Sequence, residues 1–476
     1  MERLKRNKIS IAVILAICLI LILPVVVYQY PYPNHSDDTP RHLQVIERVV
    51  DGQGYSDLWD IRNAYAGPAF VGLIIKALHT DPYWSFYVFH YLALVGMVLS
   101  IWYFSFKVFN RAAANLALPF VVLCTPPFLQ QFYNGVIFNM VNLFIFGLMA
   151  ILALVYWLKT RRLYYAVVSI LLLAIAVVFH SATGLYLVAG IGFFLGCYTL
   201  LNAKKRAWGE VKRLVIYGGI LGAVCGALAL TFSPETTWLA GAIYNGVTTG
   251  DTAPAIRLIT IPDFILLYSN LVILSAFVIS IIYIWRRKIQ ISVGMGILAS
   301  LIFVLGLSVF VFKVIEPERG AHDLAMVISL AGAGAMGVAL QRVNRFKKQY
   351  YAVLFVVIIG LSLPMVTFWN GYRSAVRPAD QQAIAYMETL QGDNYSVSTQ
   401  IQPSIYSLFL QGKNYTAAGG DYIIYRSSPM SGETDPLDGW CQIRGDISTE
   451  ADYDGLPVVA EFNDGMVTVI IYKNGG

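Results

Sequence analysis

Long apolar segments fill the first three quarters of the chain. Each is about 20 residues long, enough to cross the hydrocarbon core of a bilayer as a helix. The pattern predicts about eleven membrane spans, near residues 9–29, 83–106, 112–130, 136–158, 163–180, 183–201, 214–231, 263–285, 290–312, 321–340 and 350–369. The expected fold class is therefore mostly α, a polytopic membrane protein.

The pattern changes after residue 370. A helix is predicted to open at Pro378, and four later segments have the composition of strands: "YSVSTQ", "DYIIYR", "PVVAEF" and "MVTVIIY". The last two flank "NDG", which is typical of a hairpin turn. We therefore expect a transmembrane domain over 1–370 and a small soluble α/β domain over 371–476.

Composition agrees with a membrane protein. Hydrophobic residues make up 57% of the chain and charged residues 13%, whereas a soluble domain carries about 25% charged residues. The first apolar segment is longer than the core of a signal peptide, and no small-x-small cleavage site follows it. We expect it to be an uncleaved first span.

Basic residues cluster in alternate predicted loops, which is the positive-inside pattern. The clusters are Arg3 to Lys8, Lys107 with Arg111, and the segments 159–162, 204–213, 286–288 and 342–348. They predict a cytoplasmic N-terminus, with the loop 30–82 and the segment 371–476 on the outer face. The positive-inside rule already explains these basic clusters, so they give no reason to expect nucleic-acid binding.

The first outer loop carries an acidic pair, Asp37 and Asp38, between His35 and His42. An interface helix is expected to start here, with Pro40 in its first turn and Asp38 or Thr39 as its N-cap. Its apolar face is expected to carry residues that recur at helical spacing: Leu43, Ile46, Val49 and Val50. Capping explains one aspartate of the pair. The alternative is general-base catalysis, in which a carboxylate takes a proton from an acceptor hydroxyl.

A second group of ionisable residues lies in "KVIEPERGAHD", residues 313–323. Glu316, Glu318, Arg319, His322 and Asp323 form either a solvated loop with surface ion pairs or a phosphate site, in which Arg319 binds the anion bidentately and the acids or His322 orient it. His180, at the end of the fifth predicted span, is expected on the same outer face. A histidine there is either structural or part of that site.

Common cofactor and nucleophile motifs are absent from the sequence. We find no Walker motif, no HExxH, no Cys/His metal cluster and no GxSxG. No cofactor is therefore predicted. Asp37, Asp38 and a histidine could together bind one divalent metal ion, so a metal requirement is left as an alternative.

The pattern resembles the GT-C superfamily of integral membrane glycosyltransferases. The matching pieces are "HSDD" after the first span, "FHSATG" at the end of the fifth, and "PERGAHDLAMVISLAGA" entering the tenth. The similarity covers about residues 1–370 in architecture. The chain lacks the WWD-type motif of oligosaccharyltransferases, so transfer of a whole glycan to asparagine is less favoured.

The resemblance implies a mannosyltransferase-like enzyme that uses a dolichyl- or undecaprenyl-phosphate sugar. It would move one sugar, with inversion, to a glycan, lipid or protein acceptor at the outer membrane face. Carried over by position, Asp37 or Asp38 would be the base, and Arg319 the phosphate ligand. His180 and His322 would lie near the donor head group, with His35, His42, Glu316 and Glu318 in support.

Three other functions fit a many-span protein. A flippase or transporter of lipid-linked sugars would predict charge inside the membrane and broken helices. A polysaccharide polymerase or ligase would place its large outer loop late in the chain. A non-catalytic surface receptor would not need Asp37 and Asp38.

Overall fold

The computed structural model describes most of the helical region and much of the C-terminal sheet. The described residues are 2–27, 38–52, 66–134, 137–232, 259–290, 292–312, 317–342, 378–398, 410, 413–416, 420–427, 449–465 and 467–474.

Helices account for nearly all of the described part before residue 390. The first eleven are α1 Glu2–Val27, α2 Asp38–Val50, α3 Ala66–Leu78, α4 Pro82–Val108, α5 Arg111–Leu118, α6 Pro126–Asn134, α7 Ile137–Val141, α8 Leu148–Thr160, α9 Leu163–Phe179, α10 Ser181–Lys204 and α11 Trp208–Phe232. The other helices longer than one turn are α12 Leu271–Arg286, α13 Val293–Leu307, α14 Pro317–Arg342 and α15 Pro378–Thr389, and a three-residue helical turn, Ile261–Asp263, lies before α12. Single π-helical turns extend or join them at Pro119–Leu123, Asn142–Gly147, Phe264–Tyr268 and Ser308–Phe312.

Six helical stretches of the described part are long and apolar enough to cross a membrane. They are Trp84–Val108, Ile137–Thr160, Ser181–Lys204, Trp208–Leu230, Val293–Val311 and Arg319–Gln341. Shorter apolar helices, such as Leu163–Phe179, accompany them. The predicted class, a mostly helical membrane protein, is confirmed. The count of eleven spans is not, and the predicted span 350–369 and the predicted domain boundary at 370 lie outside the described residues.

The predicted continuous span over 112–130 is wrong. The helix ends after the π turn at Leu123, and α6 begins separately at Pro126. Two consecutive prolines cause the break, because the residue before a proline is driven out of the helical region. The Thr125 hydroxyl stabilises the bend, since it lies 2.7 Å from the carbonyl oxygen of Phe120 and 2.7 Å from Ser329 Oγ.

Helix α14 lies at the centre of the bundle and packs against α5, α10, α12 and α13. Small residues allow this close approach: a Cβ on Gly337 would overlap the backbone of Ala113, and one on Gly334 would overlap the ring of Phe109. Such contacts are a common way for helices to associate in membranes, where apolar burial alone provides little drive.

Side-chain pairs join segments that the charge pattern predicts on one membrane side. Arg161 Nη2, after α8, lies 2.7 Å from Glu210 Oε2 near the start of α11. Arg111 donates to the hydroxyl of Ser10, at 3.3 Å from both Nε and Nη2. Each pair is consistent with the predicted arrangement of loops.

Helix α2 packs its apolar face on α3. A Cβ on Gly72 would lie 3.0 Å from Val49 Cβ, and Lys76 Nζ donates to the carbonyl oxygen of Val49 at 3.1 Å. The helix starts at Asp38, so the predicted caps Asp38 and Thr39 are already helical. A proline fits this first turn because the N–H it lacks has no intrahelical partner there.

The C-terminal segment forms a five-stranded sheet with α15 packed beside it. The strands are β1 Asn394–Val397, β2 Asn414–Tyr415, β3 Tyr422–Arg426, β4 Val458–Asn463 and β5 Thr468–Lys473. Their order is β2-β1-β3-β5-β4; β1 is parallel to β2 and β3, and β5 is antiparallel to β3 and β4. The predicted helix, strands and hairpin are all present, whereas β2 was not predicted.

Candidate active site

Helix α2, the α9–α10 junction and the start of α14 converge at one end of the bundle. The ring of His42 stands edge-on to Phe138 with centroids 4.7 Å apart, and Phe138 contacts Phe179 at 5.5 Å. The next residue, His180, lies within electrostatic reach of both His42 and Arg319. The structure therefore brings together three predicted site residues from distant parts of the sequence.

His180 is held in an extended conformation between two helices. Its φ and ψ are −153° and 98°, which ends α9 and starts α10. The Asn142 side chain donates to the carbonyl oxygens of Ala176 and His180, both at 2.9 Å. The imidazole is buried, and its Nδ1 has no hydrogen-bond partner among the described residues. The junction is thus fixed while one ring nitrogen stays available.

Arg319 lies in the first turn of α14 and is partly exposed. Its charge acts on His180, His322 and Asp323. A helix N-terminus carries partial positive charge, so a guanidinium beside it makes a favourable environment for an anion. The loop alternative, in which these groups are merely solvated, does not fit His322, which is buried.

Beneath Arg319 lies a buried group of five polar side chains, which we call the polar network: Gln131, Asn139, Thr183, His322 and Asp323. Gln131 Nε2 lies 3.0 Å from His322 Nδ1, and Asn139 Nδ2 lies 3.2 Å from Gln131 Oε1 and 3.5 Å from Asp323 Oδ1. Thr183 Oγ1 contacts Asn139 Oδ1 and lies 3.0 Å from Asp323 Oδ2. The network links α6, α7, α10 and α14 below the site.

Sequence reasoning assigned no role to Gln131, Asn139 or Thr183. Asn139 and Thr183 are polar residues inside predicted spans, and such residues usually face the bundle interior, whereas Gln131 falls between two predicted spans. That signal is present in the sequence, but the spacing between these positions is too long to reveal that they meet. His90 of α4 is a further ionisable residue that is fully buried.

Several predicted site residues cannot be compared with the structure. His35, Asp37 and Glu316 lie outside the described residues. Asp38 and Glu318 belong to the first turns of α2 and α14, but their side chains lie outside the described part. Their roles stay predictions.

Metal ligands do not cluster in the described part of the chain. No group of three or more His, Cys, Asp or Glu side chains is placed there to hold an ion. The arrangement around Arg319 instead offers a guanidinium, a helix N-terminus and two buried imidazoles, which are groups that bind an anion.

No protein-family model matches the sequence, and no curated protein matches it either. Solved structures do match its fold. ArnT from Cupriavidus metallidurans in the apo state aligns with a TM-score of 0.57 and 13% identity, covering 99% of this chain and 98% of ArnT. The same protein bound to undecaprenyl phosphate gives a TM-score of 0.54 at 13% identity, covering 98% of this chain and 97% of ArnT.

An archaeal protein gives a similar match over less of its own length. The oligosaccharyltransferase AglB from Archaeoglobus fulgidus, in complex with an inhibitory peptide and a dolichol-phosphate, aligns with a TM-score of 0.52 and 13% identity. The alignment covers 87% of this chain and 60% of AglB, so the chain spans less than two thirds of that protein. The chain therefore has the GT-C fold of integral membrane glycosyltransferases.

Proposed function

We propose that this protein is a membrane glycosyltransferase that transfers one sugar from a polyprenyl-phosphate donor to an acceptor hydroxyl at the outer membrane face. The acceptor is a glycan, a lipid or a protein, and the reaction inverts the anomeric carbon. The observation that carries the proposal is Arg319, which lies in the first turn of α14 and whose charge acts on two buried histidines within a GT-C fold.

In this proposal Arg319 binds the donor phosphate. A guanidinium presents two parallel N–H groups that match two phosphate oxygens. The leaving group of the reaction is the lipid phosphate, which gains negative charge as the sugar departs. Arg319 and the helix N-terminus would stabilise that charge where it develops. The buried His180 and His322 would contact the donor head group from the bundle side.

Asp37 or Asp38 would be the general base. The support is the position of α2: it starts at Asp38, and His42 follows four residues later, a rise of about 6 Å along the helix. Since His42 acts electrostatically on His180, the start of α2 belongs to the same end of the bundle. His35, Glu316 and Glu318 would support the acceptor side of the site.

A polyprenyl-phosphate donor explains why the site is built at one end of the bundle. The lipid tail cannot leave the bilayer, so the sugar–phosphate bond stays at the membrane surface. A base placed just after the first span meets an acceptor that arrives from water. The solved neighbours support this donor class, because ArnT was solved with undecaprenyl phosphate and AglB with a dolichol-phosphate.

The metal requirement is a separate question. One oligosaccharyltransferase structure from Archaeoglobus fulgidus contains Zn and sulfate, and its TM-score to this chain is 0.50. Asp37, Asp38 and a histidine have the chemistry to hold one divalent ion. The proposed reaction does not depend on a metal ion. Removing metal with a chelator and adding it back in the transfer assay shows whether activity requires one.

The central experiment is sugar transfer in proteoliposomes with a panel of radiolabelled polyprenyl-phosphate sugars. Wild type is compared with Asp37→Asn, Asp38→Asn and Arg319→Ala. We expect one aspartate variant to lose at least about 100-fold in rate, which is the usual contribution of a general base. Arg319→Ala should raise KM for the donor as well as lower kcat.

Arg213→Ala is the matched control, because Arg213 is exposed near the start of α11 and is predicted at the opposite membrane face. It should transfer sugar like wild type. Equal transfer by all four variants would assign the aspartates to capping and remove the proposed site.

The flippase is the second candidate, and two observations favour it. Asp323 and His90 are ionisable residues buried within apolar helices, and π turns or breaks interrupt several spans. Both features also occur in transporters. The proteoliposome assay separates the two functions: a flippase moves labelled lipid-linked sugar across the bilayer without consuming it.

A further inference from the structure

A directed series of hydrogen bonds connects a buried carboxyl group to the histidine beside Arg319. Asp323 Oδ1 lies 3.5 Å from Asn139 Nδ2, the same Nδ2 lies 3.2 Å from Gln131 Oε1, and Gln131 Nε2 lies 3.0 Å from His322 Nδ1. All four side chains are buried. Water therefore competes little for these groups, and buried polar groups of this kind usually find their hydrogen-bond partners within the protein or its ligand.

Asp323 determines which side chain donates and which accepts in each hydrogen bond of the series. A carboxylate only accepts hydrogen bonds, so the Asn139 atom that faces Asp323 must be the amide NH₂. The same NH₂ also faces Gln131, so the Gln131 atom nearest to it is the carbonyl oxygen. The NH₂ of Gln131 is then left to donate to His322 Nδ1. A neutral imidazole that accepts at Nδ1 carries its proton on Nε2.

Thr183 keeps this order compatible with an Asp323 that is protonated on Oδ2. Its hydroxyl lies 3.0 Å from Asp323 Oδ2 and contacts Asn139 Oδ1. A carboxyl proton on Oδ2 would point to Thr183 and leave Oδ1 an acceptor. The reverse order would place the Asn139 carbonyl oxygen against Asp323 Oδ1, so two acceptors would face each other without a proton between them.

The proton-bearing nitrogen of His322 belongs to the site around Arg319. His322 lies three residues after Arg319 on α14, so both are on the same helix face. His322 is 8% exposed, and its Nε2 has no hydrogen-bond partner among the described residues. A buried donor without a partner is costly, and a bound acceptor would remove that cost.

We propose that Asp323, Asn139 and Gln131 are positioning residues that hold His322 as the Nε2–H tautomer, so that it donates to a phosphate oxygen of the bound donor beside Arg319. The inference rests on the proposed function for the identity of the acceptor. The hydrogen-bond series supplies a neutral N–H next to the guanidinium. An imidazolium there would instead add a second positive charge close to Arg319, at a like-charge penalty.

Nitrogen NMR tests the tautomer without any enzymatic activity. The protein has six histidines, and it would be labelled with ¹⁵N-histidine and reconstituted in lipid. The His322 signals are assigned by their loss in His322→Gln. We expect one protonated and one unprotonated nitrogen, with the proton on Nε2 in one-bond and ring-carbon correlation spectra. A proton on Nδ1 in the wild type would overturn the proposal.

Two variants test the series itself. Gln131→Glu presents a carboxylate to Nδ1 and should move a proton to that nitrogen. Gln131→Met removes the contact and should leave His322 as a mixture of tautomers. The control is Ser329→Ala, on the same helix, because Ser329 is buried and hydrogen-bonded to Thr125 but has no role in the series. Unchanged His322 signals in Gln131→Glu would contradict the proposal.

Transfer kinetics link the tautomer to donor binding. Gln131→Met should lower kcat/KM for the lipid donor by about 10–100-fold, which corresponds to one hydrogen bond to a charged group. His322→Gln, which keeps an N–H donor, should retain more activity than His322→Ala. If these two variants lose activity equally, the donor role of His322 fails.

The His322 tautomer and the transfer activity can each be present without the other. A wild-type protein that holds the Nε2–H tautomer but transfers no sugar would remove the proposed function and leave the positioning series in place. A protein that transfers sugar with the proton of His322 on Nδ1 would do the opposite.

Discussion

Arg426 and Asp380 form a buried ion pair in the C-terminal α/β unit. Arg426 Nε lies 3.1 Å from Asp380 Oδ1, and the two side chains are 2% and 0% exposed. Arg426 Nη2 lies 3.3 Å from Asp380 Oδ2, so the guanidinium approaches both carboxylate oxygens. The pair joins the first turn of α15 to the end of β3.

Removing one partner should destabilise this unit strongly. Asp380→Asn leaves the buried charge of Arg426 without its counter-ion, and Arg426→Met leaves that of Asp380. Breaking a buried pair in this way typically lowers the free energy of unfolding by about 3–5 kcal/mol. Hydrogen exchange of β3 and α15 in the full chain measures the effect. The double variant Asp380→Leu/Arg426→Met should recover most of the protection, because neither charge is then buried. Equal losses in the single and double variants would show that the pair contributes through packing alone.

Two glycines on different helices should respond differently to the same substitution by alanine. Gly337→Ala places a Cβ against the backbone of Ala113, where α14 crosses α5. Backbone cannot move aside as a flexible side chain can, so we expect a loss of at least about 1–3 kcal/mol. Gly222→Ala on α11 meets nothing within 4 Å. Thermal unfolding in detergent should show a lower Tm for Gly337→Ala and no decrease for Gly222→Ala.

The sequence predicts the class of fold and the ends of many helices because these depend on local patterns. Apolar length identifies the spans, and the pattern of Leu43, Ile46 and Val49 identifies the buried face of α2. The hairpin between β4 and β5 follows from "NDG", and Gly465 adopts the positive φ of 83° that such a turn uses. Each of these signals lies within one helix or turn.

The polar network depends on distant positions, so the sequence could not reveal it. Thr183 and Asp323 are 140 residues apart in the chain, and Gln131 and His322 are 191 apart. Only the packing of α6, α10 and α14 brings them together. Strand β2 was missed for a related reason. It is two residues long, and it exists because Asn414 and Tyr415 pair with β1.

The orientation of the chain can be tested at two exposed positions. In a variant without the five cysteines, single cysteines replace Thr80, between α3 and α4, and Lys205, between α10 and α11. The charge pattern predicts Thr80 outside and Lys205 inside. A membrane-impermeant maleimide should label Thr80→Cys in intact cells and Lys205→Cys only after permeabilisation. The opposite labelling would invert the topology and move the proposed site to the cytoplasmic face.

Glu47 of α2 provides a pH test of how α2 is packed. Burial raises the pKa of this carboxyl, and the nearby Asp51 and Asp81 raise it further. The folded protein therefore holds the proton of Glu47 more tightly than the unfolded chain does. Stability from this group is present at low pH and is lost as pH rises from the ordinary value of 4.5 through the raised pKa of the folded state.

Glu47→Gln should accordingly raise Tm at neutral pH, and the difference should shrink as the pH is lowered to about 4. The neutral amide keeps the shape of the side chain but has no charge to bury. Glu388→Gln is the matched control, because Glu388 is exposed on α15, and it should leave Tm unchanged at every pH. Differential scanning fluorimetry from pH 4 to 8 measures both variants. A Glu47→Gln protein that is less stable than wild type at neutral pH would mean that the ionised carboxylate makes a favourable contact, and that α2 is held by charge as well as by its apolar face.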